Sequence, residues 1–176
     1  MFKMNLLRFK LREKSSERLV LTFNYGFRIF FFLIAAFLLY FIITDMDNTR
    51  FNPGPFLVMF AFLVAGSYME SWDFNKATKA IIQKHGLLFL ARKQTIPMGL
   101  AKSIILSGFY TGTEKSKLKG RSAFFQKKYL KLCLSGNDGE IHVIEIQSVL
   151  FQKENLQEKA KKIAQFLQIP YLEENV

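Results

Sequence analysis

Two uncharged apolar blocks constrain the fold of this chain more strongly than any other feature. The first runs from Ile29 to Thr44 and the second from Phe56 to Tyr68, and a polar connection at 45–55 separates them. A helix on the surface of a water-soluble protein keeps a polar stripe along one side, and these blocks have none. The pattern therefore predicts a transmembrane helical hairpin rather than a helix pair buried in a soluble core.

Both blocks need their flanks to reach across a bilayer, because a hydrocarbon core of ~30 Å requires about 20 helical residues. We expect spans at about 27–45 and 55–72, within a hairpin domain of 25–72. Arg28 would reach the headgroups from one end, and Trp72 would lie at headgroup level. Neither block contains an ionisable residue, which argues against a transporter or pump.

The charge on the flanks predicts the orientation. Residues 1–28 contain seven basic and two acidic residues, whereas the connection contains Asp45, Asp47 and Arg50. The positive-inside rule then places both termini in the cytoplasm and the connection outside. We expect a multi-pass protein of a bacterial-type plasma membrane. Residues 1–24 are expected to form a basic cytoplasmic segment. The spacing of its apolar residues leaves open whether this segment is a strand, a helix or neither.

Residues 73–176 predict a cytoplasmic β domain, because short runs rich in β-forming residues alternate with turn signals. The clearest hairpin turns at Ser135–Gly139, which is dense in turn residues, and an earlier one turns at His85-Gly86. Strands are predicted at 80–83, 87–91, 95–97, 103–110, 124–134 and 140–149.

A C-terminal amphipathic helix is predicted at about 153–168, ending before Pro170. Its apolar residues recur at helical spacing and form one face that suits the covering of a sheet: Leu156, Ala160, Ile163, Ala164 and Leu167. The predicted fold class is an α+β membrane protein. A transmembrane helical hairpin is followed by a small antiparallel β barrel or sheet, which the C-terminal helix closes.

Several short motifs accompany this layout. They are Trp72-Asp73-Phe74, a turn centred on Gly86, an Ile96-Pro97 step, and a closing A-x-x-I-A-x-F-L-x-I-P that stands here as Ala160, Ile163, Ala164, Phe166, Leu167, Ile169 and Pro170. With two membrane helices ahead of it, this arrangement resembles bacterial membrane proteins with pleckstrin-homology-like (PH-like) domains. It is also similar in layout to the photosystem I assembly factor of chloroplasts and cyanobacteria. The resemblance implies a PH-like cytoplasmic domain.

A basic stretch from Glu114 to Lys131 is the candidate contact site. It carries seven basic residues against one acidic residue, and Phe124-Phe125 lies in its middle. Each basic side chain near an anionic leaflet contributes ~1 kcal/mol, so this stretch would suit anionic lipid or a protein partner. The candidate residues are Lys115, Lys117, Lys119, Arg121, Lys127, Lys128 and Lys131.

Catalytic chemistry has no recognisable motif in this sequence. Cys133 is the single cysteine, and the two histidines, His85 and His142, lack partners at metal-ligand spacing. We therefore expect no enzyme activity, no cofactor and no metal. The net charge of +11 favours an anionic partner. The membrane lipid bilayer is the nearest such partner, and we expect no binding to nucleic acid.

The sequence predicts a non-enzymatic scaffold or assembly module for a membrane protein complex. Its partner would be a membrane protein or another copy of the chain. The alternative is a module that binds anionic lipid headgroups while the hairpin holds it at the membrane.

Overall fold

A computed structural model gives the fold of this chain and describes residues 9–45, 53–111 and 127–174. Its elements in chain order are β1 Phe9–Ser15, β2 Arg18–Phe23, α1 Tyr25–Asp45, α2 Gly54–Ser67, β3 Tyr68–Asn75, β4 Ala80–Leu87, β5 Arg92–Pro97, β6 Ala101–Thr111, β7 Lys127–Gly136, β8 Ile141–Ser148, α3 Val149–Leu167 and β9 Tyr171–Glu174. A 3₁₀ turn at Met98–Leu100 precedes β6. The structure confirms an α+β fold with an apolar helix near the N-terminus and mainly antiparallel sheets.

The strands form two sheets. Sheet A has the order β1-β2-β3-β4-β5, and sheet B has the order β8-β7-β6-β9. In sheet B, β7 pairs antiparallel with both β6 and β8, whereas the short β9 runs parallel to β6. The sequence predicted one small barrel or sheet. Among the described residues, the strands instead form two sheets, and neither is a closed barrel.

The chain divides into two compact units. Unit 1 contains α1, α2 and the segment Ile82–Thr95. Unit 2 contains sheet B, α3 and the segment Phe74–Ile81.

Helix α1 in unit 1 begins directly after Asn24, whose Oδ1 accepts a hydrogen bond from the Gly26 N–H. An asparagine at this position satisfies one of the donors that a helix leaves open at its start. The span Tyr25–Thr44 has a mean hydropathy of 2.4 and is 11% buried. Within the described ranges, α1 alone is long and apolar enough to cross a membrane.

Helix α2 is shorter and packs against α1. The Arg28 Nε donates a hydrogen bond of 3.2 Å to the Gly66 carbonyl, and the rings of Phe31 and Phe62 lie 5.6 Å apart. Gly66 allows this close approach, because a Cβ at that position would lie 3.2 Å from the Phe31 Cβ.

The expected extension of the second helix to residue 72 is a strand instead. Helix α2 ends at Ser67, and Tyr68 already has the extended conformation with φ −66° and ψ 134°. Residues from Trp72 to Asn75 alternate apolar and polar side chains as a paired strand does, and Trp72 and Phe74 are the buried ones. Trp72, which we expected at headgroup level, is completely buried within the protein.

The predicted turn at His85-Gly86 lies farther along the chain. Strand β4 continues through Gly86, which has φ +132°, and the chain reverses at Leu88–Ala91. A hydrogen bond of 2.9 Å from the Leu90 N–H to the Leu87 carbonyl closes this turn. Glycine adopts positive φ without steric cost, so Gly86 is accommodated within the strand rather than forming the corner.

Two regions form strands that the sequence analysis either left undecided or did not predict. The N-terminal segment forms β1 and β2 of sheet A, joined across Ser16-Glu17. The last residues form β9, where the Ile104 N–H donates to the Pro170 carbonyl and Ile104 lies beside Tyr171.

The core of unit 2 lies between sheet B and α3. All five apolar residues predicted to form the covering face of the helix are buried, which confirms that prediction: Leu156, Ala160, Ile163, Ala164 and Leu167. The helix begins at Val149, before the predicted residue 153, and ends at Leu167. Gln168 has φ 59° and the Ile169 N–H donates to the Ala164 carbonyl, a common helix ending.

Candidate functional site

The basic stretch predicted as a contact site lies mostly outside the described residues. Lys115, Lys117, Lys119 and Arg121 fall there, and the backbone of Lys127 begins β7. Lys128 and Lys131 lie three positions apart on that strand. Because successive side chains of a strand point to opposite faces, the structure places these two lysines on opposite faces of sheet B.

Sheet B has an inner face that α3 covers. Leu130, Leu132 and Leu134 of β7 share this face, and the β6 residues Ile104 and Leu106 lie beside Leu134 and Leu132. All five side chains are fully or almost fully buried. The inner face therefore packs the protein core and offers no access to a ligand.

One ion pair is buried at this inner face. The Lys159 Nζ of α3 lies 2.9 Å from Oε2 and 3.2 Å from Oε1 of Glu145 on β8. The Gln147 Nε2 also donates to the Glu145 Oε1. A buried charge pair is tolerated when its geometry is good and its remaining hydrogen-bonding atoms are satisfied. Both charges are engaged with each other, so we assign this pair a structural role.

The opposite face of sheet B, which we call the outer face, is also rich in apolar residues. At its edges these side chains are exposed: Ile141, Val143 and Ile146 of β8 and Leu172 of β9. Toward its centre, the rings of Phe109 and Tyr129 stack with centroids 5.7 Å apart. Lys131 lies on the same face between Ser107 and Ile146.

Cys133 lies within the outer face but is buried among its neighbours. Burial raises the pKa of its thiol; nearby Lys131 lowers that pKa and Glu174 raises it. A thiol with a raised pKa carries little thiolate at neutral pH, and the thiolate is the nucleophilic form. The environment of Cys133 therefore favours packing over covalent chemistry.

Metal-binding side chains do not cluster in the part of the chain that the structure describes. No group of three or more His, Cys, Asp or Glu residues is placed there to hold a metal ion. One described pair of such side chains is His142 and Glu140, in which the His142 Nε2 lies 3.5 Å from the Glu140 Oε2.

The outer face was missed by sequence reasoning, although β8 carries a signal for it. An antiparallel sheet with one solvated face shows strict apolar and polar alternation. In β8, Ile144 is buried, while Ile141, Val143 and Ile146 point to the outer face. The β8 positions opposite Leu130, Leu132 and Leu134 are polar, namely Gln147, Glu145 and His142. The regularly spaced apolar residues of this strand therefore lie on the face that α3 does not cover.

Comparison with family models and with curated proteins finds no match for this chain.

Proposed function

We propose that this chain is a non-enzymatic, membrane-anchored interaction module. In this proposal α1 and α2 cross the membrane as a hairpin, and a PH-like cytoplasmic domain binds a protein of a membrane complex. The outer face of sheet B is the docking surface, and the membrane protein partner covers it.

The observation that carries the proposal is the exposed apolar outer face itself. Contiguous apolar surface on a soluble domain marks an interaction site more often than isolated exposed residues do. Ile146 is 52% exposed at the edge of this face, with the stacked Phe109 and Tyr129 farther along it. Lys131 and the two serines Ser107 and Ser148 interrupt the apolar residues, which is typical of protein interfaces with a few polar contacts.

The exposure of α1 supports the membrane anchor. A helix from a soluble core would be mostly buried, whereas the span Tyr25–Thr44 is 11% buried. Helix α2 has 14 residues and rises about 21 Å at 1.5 Å per residue, less than the ~30 Å of a hydrocarbon core. Local thinning of the bilayer and interfacial flanking residues accommodate such a short span at modest cost.

The charge distribution supports the orientation. The connection between the helices is acidic overall, whereas the chain on either side of them is basic. The positive-inside rule then favours cytoplasmic termini and a cytoplasmic β domain.

Site-specific photo-crosslinking in native membranes tests the docking surface. A photoreactive phenylalanine analogue replaces Ile146 on the outer face, and in a matched protein it replaces Leu100, which is 39% exposed and lies in the 3₁₀ turn outside that face. We expect a discrete adduct with another protein from position 146 and none from position 100.

Three outcomes would overturn the proposal. An adduct with twice the mass of the chain would mean that a second copy covers the face. A phospholipid adduct would favour the lipid-binding alternative. Equal adducts from positions 146 and 100 would mean that the outer face has no special role.

A further inference from the structure

The turn between β4 and β5 in unit 1 is unusual in its composition. Leu87, Leu88, Phe89 and Leu90 form a hydrogen-bonded turn, with 2.9 Å between the Leu90 N–H nitrogen and the Leu87 carbonyl oxygen. Corners of such turns favour Gly, Pro, Asn, Asp and Ser. Here two large apolar residues, Leu88 and Phe89, occupy the two corner positions. The geometry of the turn therefore does not explain why Leu88 and Phe89 occupy these positions.

The side chains of this turn project away from the protein. Phe89 is 96% exposed and Leu90 is 76% exposed, while Leu88 is also exposed. No other described residue among the exposed large apolar side chains is as exposed as Phe89. In water these side chains would lose the free energy that burial gives to a phenylalanine and a leucine. A medium other than water therefore suits them.

A backbone hydrogen bond fixes the turn to the end of the membrane helices. The Leu88 N–H donates over 2.9 Å to the carbonyl of Ser67, the last residue of α2. Carbonyls in the last turn of a helix lack partners within the helix, so the turn satisfies one of them. One residue earlier, the Gly66 carbonyl accepts from Arg28 in the first turn of α1. The apolar turn thus lies at the end of the helix pair where α1 begins and α2 ends.

That end of the helix pair carries features of a membrane–water interface. Tyr25 and Tyr68 are exposed there, and tyrosine is enriched where a helix leaves the hydrocarbon. Arg28 lies 6.0 Å from the centroid of the Tyr25 ring. The level at which Leu88 is held is therefore the level of the headgroups.

The strands next to the turn are basic. Lys84, Arg92 and Lys93 are exposed, and the segment Ile82–Thr95 contains no acidic residue. Apolar side chains with flanking basic residues suit the boundary between acyl chains and anionic headgroups.

The backbone around the turn is tightly packed. A Cβ on Gly86 would lie 3.1 Å from both the Ala91 Cα and the Leu90 carbonyl oxygen. The absence of that side chain lets the two strands approach closely just below the corner. Phe89 and Leu90 are therefore carried on a supported hairpin rather than on a long loop.

We propose that Leu88, Phe89 and Leu90 form a second membrane contact, which inserts into the interfacial layer of the leaflet beside the end of the helix pair. The lipid bilayer is the occupant of this surface, and Arg92 and Lys93 contact its headgroups. The inference rests on the proposed membrane anchoring by α1. It adds that unit 1 contacts the leaflet at two places.

Depth-dependent fluorescence quenching of the full-length protein in vesicles tests this inference. The chain has a single tryptophan, Trp72, which is completely buried and provides a constant background. F89W places a reporter in the turn, and F37W places one near the middle of α1, where Phe37 is 68% exposed. Both proteins are reconstituted into vesicles of phosphatidylcholine and phosphatidylglycerol, with bromine on the acyl chains either near the headgroups or near the methyl ends.

We expect lipids brominated near the headgroups to quench F89W more strongly than lipids brominated near the methyl ends. The opposite order is expected for F37W, and the wild-type protein should lose little intensity with either lipid. In vesicles, the emission maximum of F89W should also lie at a shorter wavelength than that of tryptophan in water.

The control separates failure of this inference from failure of the anchor. If F37W is quenched while F89W emits like tryptophan in water and is unaffected by bromine, the turn does not touch lipid and the inference is wrong. If neither protein is quenched, the membrane anchor itself is wrong, and the inference falls with it. Stronger quenching of F89W by the deep label than by the shallow one would also contradict an interfacial position.

Discussion

Helices α1 and α3 are of similar length but place their apolar residues differently. Helix α3 keeps them on one face, and sheet B covers that face. Helix α1 is apolar all round, and most of its large side chains are exposed, as Phe37 illustrates. Helix α3 thus lies at the boundary between a protein core and water, whereas the all-round apolar surface of α1 supports our proposal that this helix contacts lipid.

Polar groups show the same contrast. Helix α3 buries one charged side chain, Lys159, and its ion-pair partner is Glu145 of β8. Within unit 1, the charged group at the helix contact is Arg28, which lies near the start of α1 and donates to the end of α2. A charge in the middle of a membrane helix is costly, whereas one at its end reaches the headgroups.

The largest effect is expected at the buried ion pair of α3. Lys159→Met leaves the Glu145 carboxylate buried without its cation, and should reduce the free energy of unfolding by about 3–5 kcal/mol. Lys159→Met combined with Glu145→Leu should recover most of that loss, because replacing both charges by apolar groups is often neutral or stabilising. Hydrogen exchange of the α3 amides in the full-length protein measures the change. A double variant as unstable as the single one would contradict this account.

An intermediate effect is expected where α1 meets α2. Gly66→Ala adds a Cβ 3.2 Å from the Phe31 Cβ, so the helices must shift. Overpacking costs about 1–3 kcal/mol, and the better helix propensity of alanine offsets roughly 0.5–1 kcal/mol of it. We expect a lower Tm in thermal unfolding monitored by circular dichroism in detergent. Gly99→Ala is the matched control, because its Cβ would meet nothing within 4 Å, and an equal change in both variants would refute the steric explanation.

The smallest effect is a pH dependence at the end of unit 2. Burial, followed by the hydrogen bond to Glu173, raises the pKa of Tyr171. The neutral phenol is therefore favoured in the folded state. Its contribution is complete below the unfolded pKa of about 10 and is lost as pH rises toward the higher folded value. Tyr171→Phe should be less sensitive than the wild type to alkaline unfolding. Identical alkaline profiles would show that Tyr171 does not contribute.

The sequence predicted the elements whose pattern is local. Helices α1 and α3 and the turn at Ser135–Gly139 follow from apolar spacing and turn residues within a few positions. The end of α2 did not follow, because Tyr68 leaves the helix to pair in sheet A, which is a contact with distant parts of the chain. The turn between β4 and β5 was misplaced for a related reason: Gly86 looks like a corner residue, but the strand continues through it.

The candidate site was less predictable than the fold. Positive charge drew attention to the stretch from Glu114 to Lys131, yet Lys128 and Lys131 lie on opposite faces of β7. The outer face depends on which residues of β6, β7, β8 and β9 become neighbours and on which side α3 packs. Strand order and helix placement depend on tertiary contacts. The alternation of apolar and polar residues within β8 therefore could not show which of its faces α3 would cover.

The central claim is that α1 and α2 cross the membrane and leave both termini in the cytoplasm. Cysteine accessibility tests it directly, because the only native cysteine, Cys133, is buried. Asn48→Cys places a thiol in the connection between the helices, and Glu174→Cys places one in β9, where the side chain is exposed. A membrane-impermeant maleimide is applied to spheroplasts before and after lysis, with the wild-type protein as background. We predict that Asn48→Cys is labelled before lysis and Glu174→Cys only after it. Labelling of Glu174→Cys in intact spheroplasts, or protection of Asn48→Cys until lysis, would contradict the claim.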